Sequence, residues 1–319
     1  MFFAISHRSH SCFTCVAVLA TLAAPACGDA VRDRAAAAPR EAPQATARAA
    51  APLVDDFGDT LRLAHFARRI VSLNPVTTEA LFAIGAGARV VGRTHWDASP
   101  PAVRGVRDLG NGLQPNVEAV LAVHPDLVVL YAAGANRAAA AAFRRAAVAT
   151  LSLRTDRIAD LSRTLHALGV ATGDTAAARL VADSVQRSLD ALRALPARAR
   201  AVSVFWYAWD DPVITIGAGS YLNELVELAG ARNVFGDLAQ PSPQVTLESV
   251  AQRNPDYVLV GPQVTHRLPG EARWRAVPAV RAGRVLVIDT ILVGRPGVRM
   301  GEAARSLRAL LDSASGARP

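Results

Sequence analysis

Lysine is missing from this sequence of 319 residues, so all 35 of its strongly basic residues are arginine. The formal net charge is +8, but the arginines are dispersed and no run of five or more basic residues occurs. A nucleic-acid-binding surface usually appears as a concentrated basic patch or helix. We therefore interpret the charge as compositional and predict no nucleic-acid partner, while an anionic membrane surface or an acidic ligand stays compatible with it.

Cysteine is also scarce, since the sequence holds three, at Cys12, Cys15 and Cys27. An uncharged apolar stretch over 12–26 follows a weakly basic start and ends in small residues, which is typical of a secretory signal peptide. Removal of a signal peptide over 1–26 leaves Cys27 alone. The folded part therefore has no disulfide framework, no thiolate metal site and no cysteine nucleophile.

Large apolar residues are almost absent from 28–52, which are rich in Ala, Arg and Pro. Such a stretch cannot bury a core, so we predict a flexible linker over 27–52. Cys27 directly follows the cleavage pattern, in a setting that resembles the lipobox of bacterial lipoproteins. We expect a lipid on Cys27 that anchors an exported protein at the outer face of the cytoplasmic membrane. Plain cleavage after Ala26, giving a free periplasmic protein, is the alternative.

Catalytic signatures are lacking as well. The sequence contains no H-E-x-x-H, G-x-S-x-G, P-loop or G-x-G-x-x-G motif. The histidines are scattered, and no pair has the spacing of metal ligands. We therefore predict that the protein is not an enzyme and holds no metal or cofactor of its own.

Strand and helix patterns alternate after the linker. Buried-strand candidates at 69–73, 89–93 and 127–131 are separated by helical patterns, the first of which we expect Thr77 or Thr78 to cap. This βαβα rhythm predicts an α/β fold with a parallel sheet covered by helices.

One helix–strand unit occurs twice in the sequence. NVEAVLAVHPDLVVL at 116–130 matches TLESVAQRNPDYVLV at 246–260, with Glu, Val, Pro, Asp and Val identical at corresponding places. Asn116 is the expected cap of the first unit's helix. The repeat predicts two lobes built alike, over 53–172 and 197–319.

A long amphipathic helix pattern lies between the two lobes. Its apolar face repeats at spacings of three and four, at Val181, Val185, Leu189 and Leu192. Asp174 or Thr175 is the expected cap. A connecting helix within 173–196 would be roughly 30 Å long at 1.5 Å per residue. Such a strut would restrict hinge closure.

Aromatic residues make up 5% of the chain, yet several follow the strand candidates directly. Trp96, Tyr131 and Trp209 come at or just after the carboxyl end of a strand, where open α/β sheets bind ligands. We predict that they line a cleft for a large, flat, partly apolar ligand, whereas Trp206 packs in the core. Arg295 follows the last strand candidate and either holds an anionic group or is a solvated loop residue.

Five stretches together resemble one family. They are RIVSLNPVTTE at 69–79, GRTHWDASPP at 92–101, NVEAVLAVHPDLVV at 116–129, LVELAGARNVFGD at 225–237 and PSPQVTLESVAQRNPDYVLV at 241–260. On these motifs the chain resembles the class III periplasmic substrate-binding proteins of ABC importers, which bind vitamin B12, haem or iron siderophores. The resemblance covers nearly all of residues 69–312. It implies two Rossmann-like lobes joined by a single long helix, a ligand between the lobes, and an ABC permease as partner.

Within the family, the resemblance is strongest to the members that bind vitamin B12 (cobalamin). By motif, Trp96 and Tyr131 fall where those members place aromatic rings against the ligand, and Arg295 falls on a ligand-contacting arginine. Trp209 is adjacent to another such aromatic position. The resemblance therefore implies these four residues as ligand contacts.

Three positions depart from the cobalamin-binding members. Gly112 and Ser242 stand where those members have tryptophan, and Ile291 stands where they have aspartate. We expect cobalamin or a related metal chelate as the ligand, with haem or an iron siderophore as the alternative cargo in the same role. A metal-cofactor scaffold or an enzyme of nitrogenase-like fold is a further alternative, which we disfavour because those proteins hold their clusters through cysteine.

The resemblance also implies how the protein meets its permease. Family members contact the permease through one exposed carboxylate on each lobe, and the matching residues here are Glu79 and Glu248. Both are expected in the first turn of a helix, where the helix dipole favours an acid by roughly 0.3–1 kcal/mol. Each could therefore serve its own helix instead. We expect the protein to work as a monomer.

Overall fold

The two repeated helix–strand units occupy equivalent places in two parallel sheets in the computed structural model of the chain. The structure describes residues 51–196, 200, 202–265 and 267–316. The signal peptide, Cys27 and nearly all of the linker lie outside the described residues, so the predictions about them stay predictions.

The N-terminal lobe is built on a sheet of four parallel strands, preceded by a small antiparallel hairpin. The hairpin consists of β1 (Leu53–Val54) and β2 (Thr60–Leu61). The sheet strands are β3 (Ile70–Ser72), β4 (Val90–Gly92), β5 (Leu127–Tyr131) and β6 (Ala149–Leu153). The helices are α1 (Pro75–Ala83), α2 (Val117–Leu121), α3 (Arg137–Arg145) and α4 (Asp160–Thr172). The strand order is β4-β3-β5-β6.

The C-terminal lobe follows helix α5 (Thr175–Arg193) and repeats this arrangement. Its strands are β7 (Val202–Trp206), β8 (Trp209–Asp210), β9 (Val213–Ile214), β10 (Ala231–Asn233), β11 (Tyr257–Val260) and β12 (Val285–Val287). Its helices are α6 (Tyr221–Leu228), α7 (Leu247–Arg253), α8 (Pro278–Arg281), α9 (Thr290–Val293) and α10 (Met300–Ala314). The parallel sheet has the order β10-β7-β11-β12, while β8 and β9 form a separate hairpin.

The strand orders of the two sheets are the same once the β8–β9 hairpin is set aside, which confirms the prediction of an α/β fold with two similar lobes. In both lobes the first strand lies between the second and the third, and the fourth forms the other edge. The strand order therefore reverses between the first and the third strand, at the centre of the sheet. At such a switch point α/β proteins open a crevice beyond the carboxyl ends of their strands.

Alternate residues of each central strand pack into different hydrophobic clusters, as expected for a parallel sheet covered on both faces. In β5, Leu127 and Val129 join one cluster, whereas Val128 and Leu130 join the other. Trp206 at the end of β7 is 5% exposed and packs in the core of its lobe, as predicted from the sequence.

The cap of α1 differs from the sequence prediction. The side chain of Asn74 accepts a hydrogen bond from the Val76 amide at 3.0 Å, and Pro75 occupies the first helical position. Thr77 and Thr78 instead donate their hydroxyl hydrogens to the Asn74 carbonyl oxygen, at 2.9 and 3.1 Å. The helix therefore starts three or four residues earlier than a cap at Thr77 or Thr78 would allow, because asparagine is the stronger cap and proline tolerates the first position.

Helix α5 is anchored in the cores of both lobes. Val185 and Leu189 belong to a cluster of the N-terminal lobe, and Leu192 belongs to a cluster of the C-terminal lobe. Asp174 occupies the N-cap position as expected, but its side chain makes no capping hydrogen bond and its carboxylate pairs with Arg89 instead. The exact limits of the lobes and of the connecting segment stay a prediction. No helix in the described part of the chain is long and apolar enough to cross a membrane.

Candidate functional site

The carboxyl ends of all four strands of the N-terminal sheet surround one cavity of about 450 Å³. Asn74 follows β3, Trp96 follows β4, Tyr131 ends β5, and Asp156 follows β6. The cavity forms here because parallel strands present their carboxyl ends at the same edge, where the connections to the helices diverge. Arg295 reaches the same cavity from the C-terminal lobe. We refer to this space as the first cavity.

A second cavity of about 520 Å³ lies at the corresponding edge of the C-terminal sheet. Trp206 to Trp209 line it after β7, Gly261 and Gln263 after β11, and Thr290 after β12. Gly294 lines both cavities, so the segment that follows α9 lies between the two spaces. The structure thus brings Trp96, Tyr131 and Arg295 together in the first cavity and places Trp209 in the second.

Trp96 and Trp209 are the tryptophans that the cleft exposes. Each is 61% exposed, although tryptophan is a highly buried residue type on average. Trp96 packs against His95 with ring centroids 4.4 Å apart, and Trp209 donates its indole N–H to the carbonyl oxygen of Asp211 at 3.1 Å. Both rings are therefore held by neighbours while their remaining faces stay open to a ligand.

The hydroxyl group of Tyr131 is committed to a partner inside the first cavity. It donates a hydrogen bond to Oδ1 of Asp156 at 2.5 Å. Burial raises the pKa of Tyr131, the hydrogen bond to Asp156 and the charge of that carboxylate raise it further, and together they bring it to about 12. Tyr131 therefore stays protonated and presents the cavity with an aromatic ring rather than a phenolate.

Arg295 is not the solvated loop arginine that was one of the two expectations, whereas its expected role as a contact for an anionic group stays a prediction. One guanidinium nitrogen, Nη2, donates to the carbonyl oxygen of Trp96, and Nη1 lies 3.7 Å from Oε1 of Glu79. The Arg295 side chain is 18% exposed. Its positive charge therefore has a carboxylate nearby, but Nη1 is buried and has no hydrogen-bond partner in the described part of the chain, so Arg295 keeps a donor at the cavity.

The two expected docking carboxylates lie in different surroundings. Glu248 is exposed in the first turn of α7, behind the cap that Thr246 forms with the Ser249 amide at 3.2 Å. Glu79 is 5% exposed and lies beyond the first turn of α1. The expectation of an exposed first-turn carboxylate is therefore wrong for Glu79, because the segment carrying Arg295 covers it.

Gly112 is in a position that admits no side chain. A Cβ atom there would lie 2.1 Å from the carbonyl oxygen of Leu73, so any other residue would require the backbone to move. The next residue, Leu113, is 50% exposed and lines the first cavity. The large side chain at this edge of the cavity is therefore Leu113, and the absence of tryptophan at Gly112 follows from the close approach of the two backbones.

Sequence reasoning missed two polar pairs of the cleft. Asn74 donates its side-chain N–H to Oγ1 of Thr155 at 3.1 Å across the first cavity, and Arg267 donates to Asp210 at 2.8 Å in the second. The position of Asn74 and Thr155 just after strands could have indicated that both lie at the cavity. The partners, however, lie far apart in the sequence. Among the described residues no group of three or more His, Cys, Asp or Glu side chains could hold a metal ion.

Comparison with known proteins gives one family match. The family model described as periplasmic binding protein matches residues 70–292, which include both sheets and the connecting helix.

Individual relatives are similar over most of the chain. The vitamin B12-binding protein of Vibrio cholerae is 25% identical over 245 residues, which are 76% of this chain and 88% of that protein. The crystal structure of the periplasmic vitamin B12 binding protein BtuF of Vibrio cholerae superposes with a TM-score of 0.67 and covers 78% of this chain and 98% of that one. The ABC transporter substrate-binding lipoprotein YvrC of Bacillus subtilis is 29% identical over 252 residues, which are 75% of this chain and 78% of that protein.

A further solved structure shares the fold. The periplasmic heme-binding protein RhuT from Roseiflexus sp. RS-1 has a TM-score of 0.70 at 22% identity, and covers 78% of this chain and 99% of that chain. At this identity the likeness concerns the two-lobed architecture.

Proposed function

The chain belongs to the periplasmic binding protein family, and we propose that the solute which it delivers to its ABC importer is cobalamin or a related corrinoid. As a member of this family the protein is an exported solute-binding protein and not an enzyme. Its relatives include proteins whose names state vitamin B12 binding, and several structures with the same fold have titles that state haem binding. The choice between these cargoes must therefore come from the cleft itself.

The observation that carries the proposal is the pair of exposed indoles. Trp96 on the N-terminal lobe and Trp209 on the C-terminal lobe are each 61% exposed and line neighbouring cavities that share Gly294. Leu113, which is 50% exposed, adds apolar surface to the first cavity, and Ile291, which is 54% exposed, is the neighbour of Thr290 in the second. Large exposed apolar side chains at a cleft favour a flat ligand that covers them on binding.

Charge at the cleft favours a ligand without strong net charge. Arg295 is paired with Glu79 in the first cavity, and Arg267 is paired with Asp210 in the second. A corrinoid surrounded by amide groups needs hydrogen bonds and apolar contact, whereas a polyanionic ferric siderophore or the carboxylates of haem need unpaired cations. Each arginine has a carboxylate beside it, and Nη1 of Arg295 keeps one donor that suits an amide oxygen, so the two arginines support the corrinoid over a polyanionic cargo.

Tyr131 supports the same choice. Tyrosine binds haem iron in some proteins, and thiolates and phenolates ligate metals in their deprotonated form. The pKa of Tyr131 is raised to about 12 and its proton is held by Asp156, so deprotonation at neutral pH is unfavourable. Tyr131 is therefore suited to pack against a ring and poorly suited to ligate iron.

The test is a parallel titration of the purified protein with cyanocobalamin, haemin and a ferric siderophore. We expect micromolar or tighter binding of cyanocobalamin, about −8 kcal/mol or better, with quenching of tryptophan fluorescence. Binding of haemin should be at least about tenfold weaker, which is roughly 1.4 kcal/mol. Clear binding of haemin or the siderophore with no heat from cyanocobalamin would refute the corrinoid and establish the alternative cargo.

Two features of delivery belong to the same proposal. We propose that a lipid on Cys27 tethers a monomer outside the membrane, which the lipoprotein name of the Bacillus subtilis relative supports. We also propose that Glu248 contacts the permease, because it is exposed and no ion pair of the described residues involves it. Rim charges of this kind mainly set association rate and register. Docking through Glu79 requires its carboxylate to leave Arg295 first.

A further inference from the structure

The segment that follows α9 carries two arginines across to the N-terminal lobe. Arg295 donates to the carbonyl oxygen of Trp96 and lies 3.7 Å from Glu79. Four residues later, Arg299 donates to Oγ of Ser99 at 3.3 Å. The C-terminal lobe is therefore bonded to the N-terminal lobe beside the exposed ring of Trp96. We call these five residues the latch.

Glu79 is the acidic centre of the latch. It is 5% exposed, and a Cβ atom on Gly297 would lie 3.0 Å from its Oε2, so the backbone of the crossing segment rests directly on the carboxylate. Another ion pair between the lobes, Arg157 with Glu224, has side chains 44% and 24% exposed. Water and salt screen that pair more strongly than the buried one. Of these two ion pairs, the one that contains Glu79 therefore contributes more to holding the two lobes together.

We propose that Glu79 is a positioning residue of the ligand site, which through Arg295 holds the crossing segment on the N-terminal lobe and so sets how fast cargo enters and leaves the cleft. The part that concerns cargo rests on the proposed function, whereas the latch itself does not. The geometry gives the reason, since a ligand that reaches between the two cavities must pass the segment that begins at Gly294. Loss of the charge on Glu79 leaves Arg295 with a neutral neighbour and frees that segment to lift.

The substitution Glu79→Gln separates this role from a role in folding. Burial is the largest cause of a raised pKa of Glu79 in the folded protein, and the charge of Asp97 adds to it. The charges of Arg295 and Arg299 and a hydrogen bond with Ser99 lower the pKa, but by less. A carboxyl group whose pKa is higher in the folded than in the unfolded state stabilises the fold below its unfolded pKa, and this stabilisation is lost as pH rises through the folded pKa. At neutral pH the buried charge thus costs folding free energy that glutamine avoids. We expect Glu79→Gln to melt no lower than wild type at pH 7.

Hydrogen exchange of the ligand-free full chain tests the latch. In Glu79→Gln we expect amide exchange over 94–99 and 295–299 to be at least about fivefold faster than in wild type, the low end of measured coupling effects. Glu118→Gln is the matched control, because Glu118 is an exposed first-turn glutamate of the same lobe that lines neither cavity, and it should leave both segments unchanged. Unchanged exchange in Glu79→Gln, or equal acceleration in the control, would overturn the latch.

Stopped-flow fluorescence with cyanocobalamin tests the positioning role. We expect association and dissociation rates of Glu79→Gln to rise together by about fivefold, so that the dissociation constant moves much less than either rate. A merely structural role would change neither rate while the protein stays folded, and that outcome would refute the positioning role. If cyanocobalamin binds neither wild type nor variant, the proposed cargo fails and the exchange experiment still decides the latch.

Discussion

Replacing Trp96 by alanine removes the most exposed aromatic ring that the N-terminal lobe presents to a ligand. The ring is 61% exposed and lines the first cavity, so a flat cargo that covers it would remove much of its surface from water. The bond from Arg295 to residue 96 goes to the main-chain carbonyl oxygen, which alanine retains. The substitution therefore tests the ring without directly removing the latch.

The expected effect follows from the exposed area. A tryptophan side chain offers up to about 250 Å², of which covering the exposed part would bury roughly 100–150 Å², or about 3 kcal/mol at 25 cal/mol per Å². Alanine keeps a little of that contact, and both the ligand and the loop relax around the gap. We therefore expect a loss of about 1.5–2 kcal/mol, which is a 10–30-fold weaker dissociation constant.

Calorimetric titration with cyanocobalamin measures this loss. Leu180→Ala is the matched control, because Leu180 is 69% exposed on α5 and lines neither cavity. Trp96→Phe, which keeps a smaller ring, should fall between wild type and Trp96→Ala. If Trp96→Ala binds within about threefold of wild type, under roughly 0.7 kcal/mol, the ring does not contact the cargo and the argument from exposed indoles is wrong.

Further predictions concern Tyr131 and the proposed contacts with the permease and the membrane. Tyr131→Phe leaves Asp156 without its hydroxyl donor, so we expect a loss of about 1 kcal/mol in the free energy of unfolding, measured in urea, and little change in cobalamin affinity. Equal stability of the two proteins would contradict the role of that hydrogen bond. Glu248→Gln should keep cobalamin affinity but slow uptake through the permease at low salt. Normal uptake by Glu248→Gln would remove that docking contact. Cys27→Ala should shift the protein from the membrane to the soluble fraction with loss of the lipid mass, and an unmodified Cys27 in wild type would exclude the anchor.

Local signals in the sequence predicted the fold well. The repeat at 116–130 and 246–260 correctly predicted the helix–strand units α2–β5 and α7–β11. The first residue of each unit, Asn116 or Thr246, caps its helix. A cap and an apolar run act over a few residues, so they can be identified without knowledge of the rest of the chain. The same holds for the position of Trp96, Tyr131 and Trp209 beyond strand ends.

Features that depend on distant partners could not be predicted in this way. Trp96 and Arg295 meet across 199 residues of sequence, and that meeting is what covers Glu79. A motif can assign Glu79 to an exposed surface, but exposure is set by whatever packs on the helix. The surroundings of Arg295 could not be predicted for the same reason, since Glu79 and the carbonyl oxygen of Trp96 lie far from it in the sequence.

The burial of Glu79 bears on delivery as well as on capture. One carboxylate that is 5% exposed and covered by a crossing backbone segment cannot pair with Arg295 and with an arginine of a permease at the same time. A permease that uses Glu79 must compete with Arg295 for it, and the same displacement frees the segment that separates the two cavities. Glu248 carries no such cost, because it is already exposed, and it can orient the protein before the latch is disturbed. Docking through both carboxylates would then couple recognition of the permease to opening of the cleft, since the energy of the second contact is available only after the latch has lifted.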